Sequence, residues 1–151
     1  MTPDQLRSEI IRPVLKGMDL WSQEAEELLL GTAIHESGGL KRIRQYEDGP
    51  ALSYFQMEPA TLFDLWDNFL VYRKDKMALL EKYKIPDLSL SENLILNPAF
   101  AVVAARLQYY RVPEPIPKKL DGQAAYWKKY WNTENGKGTP EKYITDYNHY
   151  T

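Results

Sequence analysis

One glutamate in this 151-residue chain stands where a carboxyl would be expected to keep its proton. Ala25, Leu28, Leu29, Thr32 and Ala33 recur at the spacing of a single helix face, and the same spacing reaches Glu36. The face predicted to enter a core therefore ends in an acid. That acid also falls in the last turn of its helix, where the macrodipole disfavours negative charge. Desolvation and dipole act in the same direction, and both raise a carboxyl pKa. A carboxylic acid still protonated near neutral pH can hand a proton to a leaving oxygen, the first requirement of glycosidic cleavage.

Other chemistries are thinly supplied. There is no cysteine, so thiol nucleophiles, disulfides and zinc-thiolate sites are excluded. His35 and His149 are the only imidazoles, too few for a multi-histidine metal site within one chain. His35-Glu36 begins like a zinc-protease helix, but Gly39 stands where the second histidine is needed. His35 near Ser37 does not make a serine triad, and a structural or solvent-facing histidine is the expectation. No metal and no cofactor is expected.

The elements that must position Glu36 read as helices throughout. Thr2 and Gln5 form a capping box around Pro3, opening a helix to about Lys16 with a kink expected at Pro13. Ser22 caps the helix that carries Glu36, and Gly38-Gly39 ends it. Further helices are predicted from Pro59 to about Tyr72, from Lys74 to Lys84, after the Ser89/Glu92 capping box, and from Asn97-Pro98 to about Arg111. Pro113, Pro115 and Pro117 force an extended connection. Asp121 is expected to cap a helix through Trp131, and Thr139-Pro140 opens the last one. Strand signals are weak; residues 43–55, with Gly49-Pro50, suggest an irregular loop or small hairpin. The expectation is a mostly α, single domain over residues 1–151.

Composition narrows the partners. The net charge is −2, and no segment is basic enough to neutralise nucleic-acid phosphates. Lys41, Arg42 and Arg44 form the one dense basic cluster, suited to an anionic partner or simply to a solvated loop. The longest apolar run, Ala99 to Ala105, is far short of the ~20 residues of a membrane span. The opening Thr2-Pro3-Asp4 shows neither a basic stretch nor an apolar core, so no secretory signal is expected. The 11 Tyr, 4 Trp and 4 Phe suit stacking on sugar rings as well as a helical core. Tyr126, Trp127, Tyr130 and Trp131 make an aromatic stripe, with Lys128 and Lys129 marking its expected solvent side.

Three segments, in order, carry a resemblance. Ala33-Ile34-His35-Glu36-Ser37-Gly38-Gly39 resembles the Glu-Ser motif of soluble lytic transglycosylases and goose-type lysozymes. Ala51-Leu52-Ser53-Tyr54-Phe55-Gln56-Met57-Glu58-Pro59 is similar to their second motif, usually a Gly-Leu-Met-Gln-x-x-Pro run. The stretch from Leu96 to Leu107 is similar to the helix that follows. Together they lie within residues 33–107, about half of the chain, and the variant spelling looks closest to lysozyme-like proteins of bacteriophages.

The resemblance implies a lysozyme-like helical fold and cleavage of the β-1,4 bond between N-acetylmuramic acid and N-acetylglucosamine, with peptidoglycan as partner. It implies Glu36 as general acid and base, Ser37 as an orienting residue and Gln56 as a neutral sugar contact. Tyr54 and Phe55 replace a smaller Gly-Leu pair at the cleft floor. The family's third motif, typically Ala-Tyr-Asn-Ala-Gly, is not intact; Tyr130, followed by Asn132, is its favoured tyrosine, with Tyr126 the other candidate. A hydrolase would need a second carboxylate about 5 to 9.5 Å from the first, for which Glu47, Asp48 and Glu58 are candidates. A transglycosylase needs none, because the substrate's acetamido group and C6 hydroxyl complete the reaction, and this chemistry is favoured. The rival expectation is a catalytically silent wall-binding or virion structural protein that keeps the fold. Delivery from a phage virion or from the host cytoplasm to the wall would fall to injection or to a holin.

Overall fold

The structure is a computed structural model that describes residues 1–133 and 135–151. It is mostly helical, with eight helices among the described residues. Helix α1 runs from Pro3–Gln5 through a π-helical stretch, Leu6–Ile11, into Arg12–Gly17. The others are α2 (Gln23–Ser37), α3 (Pro59–Asn68), α4 (Lys74–Tyr83), α5 (Leu90–Leu96), α6 (Pro98–Tyr110), α7 (Leu120–Trp127, continuing π-helically over Lys128–Asn132) and α8 (Pro140–Tyr150). Short 3-10 turns occupy Tyr46–Asp48 and Leu70–Tyr72.

The predicted caps are in place. Thr2 and Ser89 each complete a capping box, and Ser22, Asn97 and Thr139 accept backbone N–H bonds at 3.0 to 3.1 Å. Three boundaries differ. The π-helical widening of α1 lies immediately before Pro13, where the Arg12 N–H reaches back to the Arg7 carbonyl; the wider turn accommodates the ring without a break. The helix predicted to Tyr72 stops at Asn68, because Phe69 leaves helical geometry and packs against Tyr110, flanked by Arg73 and Arg111. Lys119, not Asp121, is the cap of α7; Asp121 lies in the first turn and accepts from the Gly122 N–H.

Helix α2 is the axis of the core. It is buried on nearly every side rather than along one stripe, because α1, α6, α7 and α8 all pack on it. Trp127, Tyr109, Tyr143, Phe55 and Phe100 fill the remaining space. Tyr143 of α8 reaches across Gly31 of α2, donating its hydroxyl to the Leu28 carbonyl at 3.1 Å. A Cβ at position 31 would overlap that phenol. Alanine is the better helix former, but overpacking a full core costs about 1–3 kcal/mol and outweighs the propensity gain of about 1 kcal/mol. Gly31→Ala is predicted to lower the denaturant midpoint; a more stable variant would contradict this packing.

Candidate active site

Helix α2 ends under its own instructions. Gly38 and Gly39 take left-handed φ of 67° and 82°, and the Gly39 N–H bonds the Ile34 carbonyl at 2.8 Å. Ser37 is fully buried: its Oγ donates to the Ala33 carbonyl at 2.6 Å and accepts from the Leu40 N–H at 2.7 Å. Ser37 therefore fixes the chain reversal beneath Glu36 and does not face the cleft. Arg42 returns over this end, donating from Nη2 to the Glu36 carbonyl at 3.1 Å while its guanidinium lies 4.4 Å over the Tyr46 ring.

Residues 40–57 form an irregular loop with two isolated antiparallel bridges, Arg44 to Leu52 and Leu52 to Met57. The turn between Leu52 and Met57 is tight, with Ser53 at φ 70° and Gln56 at φ 51°, and Glu47 and Asp48 are also left-handed at 60° and 55°. Non-glycine residues held there carry strain that surrounding contacts must over-determine. Here Ser53 accepts the Phe55 N–H on its Oγ, and Gln56 Nε2 donates to the Ser53 carbonyl at 2.7 Å.

Helix α2, this loop, α6, α7 and α8 enclose a cavity of about 780 Å³. Glu36, Gln56, Glu47, Glu58 and Asn132 all line it. The other sequence candidates lie elsewhere. Tyr54 lines a smaller hollow beside Leu6 and Leu94, and Asp48 a third beside Arg44 and Glu92. Tyr130 packs edge-on against Tyr126 at 4.8 Å, and Tyr126 is itself buried, its hydroxyl donating to the Glu114 carbonyl. The wider π-helical turn changes the facing of residues 128–132, so Trp131 and Asn132 take the cavity wall in place of Tyr130. The same turn draws Lys128 inward to donate to Asn132 Oδ1 and the Gly136 carbonyl, while Lys129 stays exposed as expected.

Electrostatics single out Glu36. Its side chain is partly buried, with no hydrogen-bond or ion-pair partner among the described residues. Burial pushes the carboxyl up from 4.5 to about 7, against the opposing pull of Arg42. Glu26, on the same helix, shows the opposite outcome. Burial would raise it, but bonds from Arg12 at 2.7 and 2.9 Å and from Trp21 at 2.9 Å hold it below the ordinary value. Behind Glu36, the buried Tyr109 shares a 2.8 Å hydrogen bond with Thr32, and burial keeps its phenol well above 10.

Several cavity residues carried no sequence signal as a group. His35 Nδ1 lies 2.7 Å from Asp146 Oδ2, and Asp146 also pairs with Lys142 one turn earlier on α8. Burial lowers the His35 pKa despite Asp146, so the neutral ring donates Nδ1–H to that carboxylate. The ring stands edge-on to Trp127 at 4.6 Å. Only the Lys142–Asp146 spacing was visible as a helical pair; its link to His35 spans most of the chain. Gln108 of α6 also lines the cavity. Among the described residues no three His, Asp or Glu side chains converge to hold a metal ion, and no helix is long and apolar enough to cross a membrane.

No family model matches this chain, and neither curated proteins nor solved structures gave a match.

An acid whose folded pKa is raised destabilises the fold as it ionises. Between 4.5 and about 7 the native Glu36 keeps a proton that the unfolded chain has lost, so stability falls as pH rises through that window and levels off above it, where the penalty of ionising the buried carboxyl is fully present. Glu36→Gln removes the effect. The variant is predicted to be roughly 1–3 kcal/mol more stable than wild type above pH ~8 and to converge with it below pH ~4. Thermal melts at both extremes check this, and equal melting at high pH would contradict it. Arg42→Gln removes the one opposing charge, so the wild-type decline in melting temperature is predicted to extend to higher pH; an unchanged end point would exclude that role.

Proposed function

We propose that the chain is a muralytic enzyme that cleaves the β-1,4 bond between N-acetylmuramic acid and N-acetylglucosamine in peptidoglycan, with Glu36 as general acid and base. The observation that carries this reading is the Glu36 carboxyl, unpaired and pushed to about 7, opening into a cavity of about 780 Å³. A pKa near the working pH gives both a protonated acid and a competent conjugate base. The volume lies within the range of small-ligand clefts. The order of the three sequence motifs supplies the substrate class by resemblance.

Lytic transglycosylation is favoured over hydrolysis. Glu36 donates its proton to the glycosidic oxygen as the C1–O bond breaks. The acetamido carbonyl oxygen of the same sugar stabilises the positive charge at C1. The Glu36 carboxylate then takes the proton of the C6 hydroxyl as that oxygen bonds C1, closing a 1,6-anhydro ring. Glu36 begins and ends protonated, and no water is consumed. The cavity's other candidate acids support this economy: Glu47 and Glu58 are exposed rim residues, in contrast to the desolvated Glu36.

Digestion of purified peptidoglycan followed by mass spectrometry tests both levels. The expected products are lighter by one water than hydrolytic ones, and Glu36→Gln is expected to lose at least ~10²-fold in rate. Reducing-end products would revive Glu47 or Glu58 as a second carboxylate. Inactivity of the native protein, with wall binding retained, would contradict the enzymatic reading and favour a silent wall-binding protein.

A further inference from the structure

Four carboxamides line the cavity: Gln45, Gln56, Gln108 and Asn132. Three are anchored by the protein. Gln45 Oε1 accepts the Ala51 N–H at 3.2 Å, Gln56 Nε2 donates to the Ser53 carbonyl, and Asn132 Oδ1 accepts from Lys128. Gln108 is different. Its Oε1 is buried with no hydrogen-bond partner, and among the described residues its amide makes no side-chain bond at all. Its neighbour Tyr109 cannot serve it, because that hydroxyl is shared with Thr32 inside the core. A buried acceptor without a donor is a cost that native folds rarely keep without use.

We propose that Gln108 is a specificity-determining residue that pairs with a secondary amide of the substrate, the 2-acetamido group of the sugar seated against Glu36. The unpartnered Oε1 is an acceptor suited to the acetamido N–H, which in a trans amide points away from its carbonyl and leaves that oxygen free to face C1. The terminal torsion of Gln108 is soft, so the acceptor swings toward the cavity without breaking any existing bond. A free amine at that carbon is protonated, and seating an ammonium against a buried neutral acceptor carries a desolvation cost that a neutral amide N–H does not. Stem-peptide amides share the same chemistry, and the choice of probe separates them. The assignment rests on the glycan-cleaving reading for the identity of the ligand.

The test compares the native protein with Gln108→Met, which keeps the length of the side chain and removes both polar ends. Binding is measured by calorimetry with an oligomer of N-acetylglucosamine, with the fully de-N-acetylated oligomer, and with a free stem peptide. The native protein is expected to prefer the acetylated oligomer by about tenfold or more. Gln108→Met is expected to lose about tenfold for that oligomer alone, with a melting temperature equal to or above wild type, since no internal bond is lost. Equal affinity of both proteins for the acetylated oligomer, a fall in melting temperature, or a loss confined to the stem peptide would overturn the assignment. The two readings fail separately. Peptidoglycan left uncut, with the binding loss intact, defeats the chemistry and leaves Gln108 standing. Peptidoglycan cut with undiminished acetyl preference by Gln108→Met does the reverse.

Discussion

The structure turns on a desolvated carboxyl, Glu36, that has no counter-ion at its own atoms among the described residues. Glu36 sits near the end of a helix that is buried over most of its length, so its surroundings cannot hydrate it as open solvent would. The contrast with Glu26 on the same helix shows that burial alone does not decide the outcome. Glu26 is given three donors, and its charge is retained. Glu36 is given none, and its proton is retained instead. One helix thus carries a structural ion near its start and a carboxyl that keeps its proton near its end.

The rest of the molecule maintains that difference. Ser37 and the two left-handed glycines stop α2 immediately after Glu36, so the carboxyl opens into a cavity and is not covered by a further helical turn. Arg42 approaches the same turn from the backbone side, bonding the carbonyl of Glu36 and resting on Tyr46. Its field tempers the rise of the carboxyl pKa without quenching it. Across the cavity, the His35–Asp146 bond ties α8 to the last turn of α2. The strained loop supplies Gln56 and Glu47 from left-handed positions, a cost that recurs where backbone geometry serves a site.

Much of this was legible in the residues. Caps at Thr2, Ser22, Ser89, Asn97 and Thr139 depend on local hydrogen bonds, which sequence spacing determines, and all five are present. The partial burial of the acid at Glu36 was legible from helical periodicity instead. What escaped depends on distant contacts or on turn geometry. Ser37 looks like a cleft residue by motif, yet the backbone groups nearest to it claim its hydroxyl. Tyr130 was displaced from the wall by a π-helical turn that periodicity at 3.6 residues does not anticipate. Asp146 and Gln108 reach the cavity from helices that only the tertiary fold brings beside α2. Helix α2 itself looked one-faced because the sequence shows periodicity, not how many neighbours will pack around it.

The central claim is that the fold holds Glu36 as a protonated acid close to neutral pH. The pH titration of its side-chain carboxyl by carbon NMR, assigned through Glu36→Gln, measures that state without reference to any substrate. The structure predicts a midpoint near 7 for Glu36. A midpoint at the ordinary 4.5 would mean that the carboxyl is hydrated or paired, and would contradict the site described for this chain.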